Sequence, residues 1–187
     1  MLLSRATGVA MRRVFNVVIP RSRFVDDVPL VCRVVTSAIF LSHDIRRDVT
    51  LRFVMPDAGL SVSFLSSRLR HVHVDEQSFA GLHRRIVRAM WEVESEGGAR
   101  HPHSGISVER IAGNVEEQFG GSFLVSSDGE LLADVLRRLG EVREISLVFS
   151  AGFQVRVPRR VRVSVERKNL DVLIVIANIE IDNYLGA

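Results

Sequence analysis

Residues 42–48 bring a serine, a histidine, two aspartates and two arginines together within seven positions, S-H-D-I-R-R-D. Carboxylate and imidazole groups carry protons in many enzymes, and the guanidinium fork binds phosphates and carboxylates. The stretch could therefore contribute to proton transfer or to anion binding. It could equally be a helix end whose surface charges pair locally, with arginines that complement the helix dipole. The residue types alone leave both interpretations open.

The elements on either side of this stretch can be predicted. Apolar residues from Val28 to Ile45 recur at helical spacing, whereas apolar and polar residues alternate from Val49 to Met55 as in a strand. The charged stretch thus joins the end of a helix to the start of a strand. In open α/β sheets such connections can contribute to a site, although ligands favour the carboxyl ends of the strands.

Strand-like and helix-like segments alternate along the rest of the chain, which favours an α/β fold with a sheet covered on both faces. Pro158 marks the alternating run 155–165 as a bulged or edge strand. The uniformly apolar run 173–177 is typical of a buried parallel strand, and we expect a short last helix after it. We predict strands at 13–19, 49–55, 122–125, 145–149, 155–165 and 173–177, and helices at 76–95, 107–119, 130–139 and 179–185.

Length and composition bound the class of protein. The chain has 187 residues, 47% of them apolar, which fits one globular domain over 1–187, with 1–10 a possible extension before Met11. No apolar run is long enough to span a membrane. Cys32 is the single cysteine, so no internal disulfide can form, which fits the reducing cytoplasm. The histidine pairs 71/73 and 101/103 lack a third ligand at suitable spacing, so we expect no metal site.

The positive charge of the chain is almost entirely arginine. The formal net charge is +3, and Lys168 is the only lysine among 25 cationic residues. Basic residues concentrate in segments 1–25 and 154–168, which suggests a polyanionic partner such as RNA. A coding bias that replaces surface lysines by arginines would produce the same composition. The phosphate loop, the dinucleotide fingerprint and the nucleophile elbow are absent from the sequence.

Residues 35–49, V-T-S-A-I-F-L-S-H-D-I-R-R-D-V, closely resemble a segment of the archaeal tRNA pseudouridine N1-methyltransferases. Further matches follow in the family's order. Met11-Arg12 with Phe15 resembles the family's start, D-E-Q-S-F-A-G-L from residue 75 its D-E-x-S-x-A-G-L, and G-I-S-V from residue 105 its P-G-I-x-V. Asn178, Glu180 and Asp182 are similar to its closing H-N-E-L-D. The resemblance is strong over residues 11–110 and loose beyond them.

The resemblance implies a fold and an activity. Members of this family are SPOUT-class methyltransferases, with an α/β domain, a C-terminal trefoil knot and a homodimeric assembly. They transfer a methyl group from S-adenosylmethionine to N1 of pseudouridine 54 in the tRNA T-loop. The resemblance implies that Asp44 or Asp48 is catalytic and that Ser42, His43, Arg46 and Arg47 contact the substrate. It places the cofactor against Phe149, Ser150, Ala151, Gly152, Ser164 and Leu173.

The segments that correspond to the family's cofactor loops have diverged. Residues 148–153 read V-F-S-A-G-F in place of a pattern close to L-G-D-H-x-G, and Glu166-Arg167-Lys168 replaces a Gly-Pro pair. Two hypotheses follow. In the first, the protein is an active RNA methyltransferase, since backbone groups dominate cofactor binding in this family. In the second, the protein has kept the fold but lost the cofactor and serves as an RNA-binding or assembly protein.

Overall fold

The structure, a computed structural model, describes residues 11–42, 44–70, 72, 76–166 and 168–186. Two short 3-10 helices, Ser66–Arg68 and Glu116–Phe119, join longer elements. The strands and α-helices of the described residues are β1 (Arg12–Val18), α1 (Arg21–Asp26), α2 (Val28–Ile39), β2 (Val49–Met55), β3 (Leu60–Leu65), α3 (Glu76–Glu96), β4 (Ala99–His103), β5 (Ile106–Arg110), β6 (Phe123–Leu131), α4 (Leu132–Leu139), β7 (Glu144–Ser150), β8 (Arg160–Arg162) and α5 (Leu170–Leu185).

One mixed sheet organises the described chain, with strand order β4-β5-β3-β2-β1-β7-β6-β8. The five strands from β2 to β8 in this order are parallel, and β3, β5 and β4 extend the sheet as antiparallel pairs. The predicted α/β class with a largely parallel sheet is confirmed. The parallel strands place all their carboxyl ends at one edge of the sheet and all their amino ends at the opposite edge.

The α-helices form one layer, because α3 packs on α2, α2 on α5 and α5 on α4. Their apolar faces join Phe15, Val17 and other inward residues of the strands in the main core. Local sequence explains the start of α2, where the Asp27 carboxylate accepts a hydrogen bond from Leu30 N at 3.1 Å and Pro29 occupies the first turn. A smaller cluster around Phe119 and Val157 covers part of the other face of the sheet.

The largest error of the sequence prediction lies at the C-terminus. The run 173–177, which we expected to be a buried parallel strand, lies inside the helix α5. A short apolar run is ambiguous between a buried strand and a buried helix, since both lack the polar residues that reveal a period. The predicted helix 179–185 is the second half of the same element.

Two other segments differ from the prediction. The helix expected at 107–119 is replaced by β5 and a 3-10 turn, because a hairpin with β4 forms around Gly105. Gly105 has φ of +78°, and a Cβ there would lie 2.8 Å from the backbone carbon of Arg68, so only glycine fits this turn. The strand expected at 155–165 is reduced to the three residues of β8.

None of the helices in the described ranges combines the length and the apolar character needed to cross a bilayer.

Candidate functional site

A cavity of about 650 Å³ opens at the carboxyl edge of the parallel strands. Three chain segments build it: the end of β7 with residues 149–152, the middle of β6 at 125–127, and the segment 163–173 that leads into α5. This is the edge at which open α/β sheets bind their ligands. The volume lies in the usual range for small-molecule sites.

All six residues that the resemblance assigned to the cofactor line this one cavity. Phe149, Ser150, Ala151 and Gly152 come from the end of β7, Ser164 from the segment after β8, and Leu173 from the first turns of α5. Phe149 and Leu173, the first and last of the six, are more than twenty residues apart in the sequence. Their convergence shows that the diverged loops still enclose a pocket.

Gly152 lets the backbone after β7 approach the chain after β1. Its φ is +111°, and a Cβ at this position would lie 3.3 Å from Cγ of Pro20. The peptide before it is fixed by a hydrogen bond from Ala151 N to Val18 O of 2.8 Å. The turn is therefore held close to the chain after β1 and forms one wall of the cavity.

Charged groups lie at the rim of the cavity. The side chains of Arg23, Glu166 and Lys168 line it and are exposed, and Lys168 pairs with Glu166. The Ser164 hydroxyl accepts a hydrogen bond from Glu166 N at 3.2 Å, which holds this segment in a turn. Glu166 and Lys168, which stand where the family pattern has a Gly-Pro pair, thus form part of the rim.

The described residues of the stretch 40–48 lie at the opposite edge of the sheet, where the chain turns back on itself. Phe40 and Ile45 form an antiparallel bridge, and Arg46 N donates to Ile39 O at 2.7 Å. Asp44 is exposed, and its carboxylate accepts a hydrogen bond from Ile45 N at 2.7 Å. With Arg47 and Arg70, it lines a second, shallow cavity. Ser42 is exposed, and His43 lies outside the described residues.

Arg46 and Asp48 belong to a network that we call the clamp, formed by Arg13, Arg46, Asp48, Asn178 and Asp182. Arg13, which is 3% exposed, donates to Asp48 at 2.8 Å and to the Asn178 side-chain oxygen at 2.9 Å, and it contacts Asp182 at 2.7 Å. Arg46 holds both carboxylate oxygens of Asp182, at 2.8 and 2.6 Å. The clamp ties β1 and the charged loop to α5.

The clamp sets the charge state of Asp182. Partial burial raises the pKa of the carboxyl group, but hydrogen bonds and positive charge from Arg46 and Arg13 lower it more, so the pKa of Asp182 lies below its ordinary value. Asn178 completes the network by donating to Ser37 O at 2.9 Å and to Ala38 O at 3.2 Å. These bonds satisfy carbonyls near the C-terminus of α2.

The two regions are far apart within one protomer. The loop with Asp44 precedes the amino end of β2, and the cavity lies beyond the carboxyl ends of β1 and β7. Seven residues of strand separate the two edges, about 20 Å. The helix α5 spans the same distance, because its first turns line the cavity and its residue Asp182 joins the clamp.

Sequence reasoning missed the partners that the structure reveals. Asn178 and Asp182 were noted as parts of the resemblance but were given no role, Arg13 was counted only in a basic segment, and Arg23 and Ser126 at the cavity were not assigned to a site. Complementary charges, with R-R-D in the loop and N-x-E-x-D near the C-terminus, were the one available signal. The described residues contain no group of three or more histidine, cysteine, aspartate and glutamate side chains suited to a metal ion.

Comparison with known proteins agrees with these observations. The chain is similar to the tRNA (pseudouridine(54)-N(1))-methyltransferase of Haloferax volcanii, with 39% identity over 82 residues that cover 44% of this chain and 40% of the relative. It is 27% identical to the enzyme of the same name from Methanococcus aeolicus over 132 residues, 66% of this chain and 62% of the relative. The matched parts therefore span about two fifths to three fifths of these relatives.

A solved structure shares the fold. The crystal structure of Archaeoglobus fulgidus Nep1 bound to S-adenosylhomocysteine superposes with a TM-score of 0.54 at 12% identity, covering 90% of this chain and 74% of that one. At this identity the likeness concerns the fold alone. The sequence profile of the family described as "Putative SAM-dependent RNA methyltransferase" matches residues 26–128, more than half of the chain. The chain therefore belongs to that family of RNA methyltransferases.

Proposed function

We propose that the protein is an S-adenosylmethionine-dependent methyltransferase that methylates N1 of pseudouridine 54 in tRNA. The observation that carries the proposal is the convergence of the six expected cofactor residues on one cavity at the carboxyl edge of the sheet. Family membership and the names of the two archaeal relatives support the reaction and the substrate. Because the substrate is a tRNA, we place the reaction in the cytoplasm.

The residues of the cavity fit the cofactor. The half-buried residues Val125, Val163 and Leu173 offer apolar surface for an adenine ring, and residues 150–152 form the wall of the cavity after β7. Arg23, Lys168 and the N-terminal turn of α5 provide positive charge for a carboxylate. Bound S-adenosylmethionine would supply an electrophilic methyl group. The cavity would orient this group and exclude water from it.

Asp44 is our candidate for the general base. N1 of the pseudouridine must lose its proton as it gains the methyl group, and an exposed carboxylate within reach of the base can accept that proton. Asp44 is exposed beside Arg47, whereas Asp48 is bound by Arg13. We therefore assign Asp44 to catalysis, Arg47 with Ser42 and His43 to substrate contact, and Arg46 and Asp48 to positioning of the loop.

We also propose that two copies complete the site. The outward residues of α5, Val172, Val175 and Ile179, are 38%, 40% and 49% exposed, so this helix carries apolar residues on its outer face as well as on its inner face. A helix of that kind is normally buried. If two α5 helices pack antiparallel about a two-fold axis, the cofactor cavity of one protomer lies beside the Asp44 loop of its partner. This arrangement would overcome the separation of about 20 Å within one chain.

The C-terminal trefoil knot of the SPOUT class is part of the proposal. The order β8-β6-β7-β1-β2 places β8 outside β6, although β7 intervenes in sequence, so the chain crosses over before it enters α5. A backbone trace that runs α5 through the loop between β6 and β8 would be the expected topology. An unthreaded α5 packed outside that loop would contradict it.

Ligand binding and methyl transfer test the function together. We expect S-adenosylhomocysteine to bind with a dissociation constant near 1 μM, about −8 kcal/mol, by calorimetry. We expect methyl transfer to a T-arm RNA hairpin that carries pseudouridine, but not to the same hairpin with uridine, since uridine has no free N1–H. Asp44→Ala should lower kcat by about 100-fold, as for loss of a general base, without changing stability.

Asp134→Ala is a matched control for Asp44→Ala. Asp134 lies on α4, pairs with Arg137 at 2.8 Å and lines neither cavity, so its loss should leave methyl transfer unchanged. Absence of any cofactor binding up to millimolar concentration would contradict the proposal. In that case, RNA binding without catalysis would be the remaining role for this family member.

A further inference from the structure

The exposed face of α3 carries a line of arginines that ends in the single tryptophan of the chain. Arg84, Arg88 and Trp91 follow one another at spacings of four and three, so their side chains lie above one another on the helix. Arg85 lies beside the line. The opposite face of α3 is buried through Phe79, Leu82, Ile86, Met90 and Val93. We call Arg84, Arg85, Arg88 and Trp91 the α3 stripe.

The tryptophan of the stripe is not part of the core. Trp91 is 59% exposed, the largest aromatic surface among the described residues that remains open to solvent. Arg88 is 83% exposed, and Arg84 and Arg85 are also exposed. Neither the packing of α3 nor the contacts of the core requires a tryptophan at this position. An exposed aromatic surface with arginines around it is typical of a binding face.

The positive charge of the stripe is largely uncompensated. Arg84 and Arg85 form no ion pair with the described residues, and Arg88 pairs only with Glu92, at 3.2 Å. Glu92 is also contacted by Arg100, at 3.4 Å. The other acids of this half of the helix are engaged too, Glu94 with Arg21 and Glu96 with Arg100. The surface therefore presents a net positive charge next to the exposed indole ring of Trp91, on which a base can stack.

The stripe lies on the helix that follows the shallow cavity beside Asp44 along the chain. Val72, which lines the shallow cavity beside Asp44 and Arg70, precedes the start of α3 by a few residues. From Arg84 to Trp91 the helix rises about 10 Å, the length of about three stacked nucleotides. A strand that leaves the base-binding loop would thus meet arginines first and the indole ring next.

We propose that the α3 stripe binds RNA that flanks the target nucleotide, with its arginines on phosphates and one unpaired base stacked on Trp91. The chemistry fits this partner, because guanidinium groups bind phosphates and indole rings stack on bases of any sequence. The inference rests on the proposed function for the identity of the RNA as a tRNA. It adds a second contact region, outside both the cofactor cavity and the charged loop.

Intrinsic fluorescence tests the contact directly, since Trp91 is the only tryptophan in the chain. Titration with an unmodified tRNA transcript should quench the emission in a saturable manner, at the same concentrations at which labelled RNA shows binding by anisotropy. RNA binding without any change in Trp91 emission would overturn the proposal. An emission shift on protein dilution in the absence of RNA would also overturn it, because the face would then be a protein–protein contact.

Variants separate the stripe from a general loss of charge. Trp91→Ala should weaken tRNA binding about tenfold, and Trp91→Phe should restore most of it, since a smaller ring still stacks. Arg84→Gln and Arg88→Gln should each reduce the slope of log affinity against log salt by about one. Arg137→Gln on α4, a position whose side chain is 70% exposed, should leave the slope unchanged. Equal effects of Arg137→Gln and Arg84→Gln would overturn the assignment.

The outcome can be distinguished from failure of the proposed function. S-adenosylhomocysteine binding by these variants should equal that of the parent protein, because α3 does not line the cofactor cavity. Quenching by RNA without cofactor binding would refute the proposed methyltransferase activity but would support RNA binding by the α3 stripe. If Trp91→Ala and the parent protein methylated full tRNA with the same kcat/KM, RNA binding by the α3 stripe would be refuted. The proposed methyltransferase activity would be supported.

Discussion

The clamp and the proposed cofactor cavity lie at opposite edges of the same sheet and are built in opposite ways. The clamp depends on the identity of its side chains, since the one guanidinium group of Arg13 contacts Asp48, Asn178 and Asp182. The cavity depends on where the backbone runs, with Gly152 and the turn at Ser164 shaping its wall. A structure defined by side chains leaves a recognisable sequence, whereas one defined by backbone can keep its shape while its residues change.

This difference explains the pattern of resemblance along the chain. In the charged stretch 35–49, a change at Arg46 or Asp48 would leave a charge of the clamp without its partner, which favours keeping these residue types. The segments 148–153 and 163–168 tolerate other side chains, provided that the turns between strand and helix are kept. Divergence in the cofactor loops is therefore compatible with an intact pocket.

Breaking the clamp should produce the largest effect. Asp182→Ala removes the carboxylate that Arg13 and Arg46 share and leaves the buried Arg13 partly uncompensated. We expect the free energy of unfolding to fall by about 3 kcal/mol, the lower end of the range for a broken buried ion pair. Urea denaturation monitored by circular dichroism would measure this loss.

Glu180→Ala is the matched control for that experiment. Glu180 lies on the same helix and forms no hydrogen bond or ion pair with the described residues, so its loss should change stability by less than about 0.5 kcal/mol. Similar losses in the two variants would show that α5 depends on its net charge rather than on the clamp. The claim that the clamp depends on particular side chains would then be refuted.

The sequence predicted the parallel core of the sheet well, because β1, β2 and β7 combine apolar residues with clear boundaries. It failed at α5 for a physical reason. A helix that is apolar on its inner face and, at Val172, Val175 and Ile179, also on its outer face shows no helical period. The property that concealed α5 from sequence analysis is the same property that suggests it is covered by a second copy.

The candidate site was predicted unevenly. The six residues that the resemblance assigned to the cofactor all line one cavity, whereas other lining residues, such as Arg23 and Ser126, were not assigned. The clamp was not predicted, because Arg13 and Asn178 are 165 residues apart and no local pattern links them. Nor did the sequence indicate that Asp44 and the cavity lie at opposite edges, which follows only from the strand order.

The proposed dimer should be the next most sensitive feature, because it brings the two regions together. Val175→Arg places a charge in the middle of the exposed face of α5. We expect the dissociation constant of the dimer to rise about 30-fold, roughly 2 kcal/mol, since the charge would be buried without a partner. Sedimentation over a range of concentrations would measure it, and methyl transfer should fall in parallel while cofactor binding is kept.

Val165→Arg provides the control. Val165 is 79% exposed in the segment after β8 and lies outside α5, so an arginine there should leave self-association unchanged. A monomeric parent protein, or a Val175→Arg dimer as strong as the parent dimer, would contradict the proposed packing of α5 helices. The Asp44 loop of one chain would then not lie beside the cavity of another. The assignment of Asp44 to catalysis would then have to be withdrawn.

A smaller effect should follow from closing the cavity. Gly152→Ala adds a methyl group 3.3 Å from Pro20 at a φ of +111°, which L-residues rarely adopt, so the turn must shift. We expect S-adenosylhomocysteine affinity to fall about tenfold, roughly 1.4 kcal/mol. Gly140→Ala also has a positive φ, but its Cβ would meet no atom within 4 Å, so affinity should stay at the parent value.

The smallest effect concerns the dependence of the clamp on pH. Because the pKa of Asp182 is lowered in the folded protein, its ionised form contributes stability at pH values above the ordinary carboxyl pKa of 3.8, and this contribution is lost as pH falls through the lower folded value. Asp182→Asn should therefore be less stable than the parent at neutral pH, and the difference should shrink below about pH 4. Parallel urea titrations from pH 7 to pH 3 would measure the difference. A gap that stayed constant over this range would show that shape and hydrogen bonding, rather than the charge of Asp182, hold α5 to the loop, and the clamp would then resemble the cavity in depending on geometry more than on ionic groups.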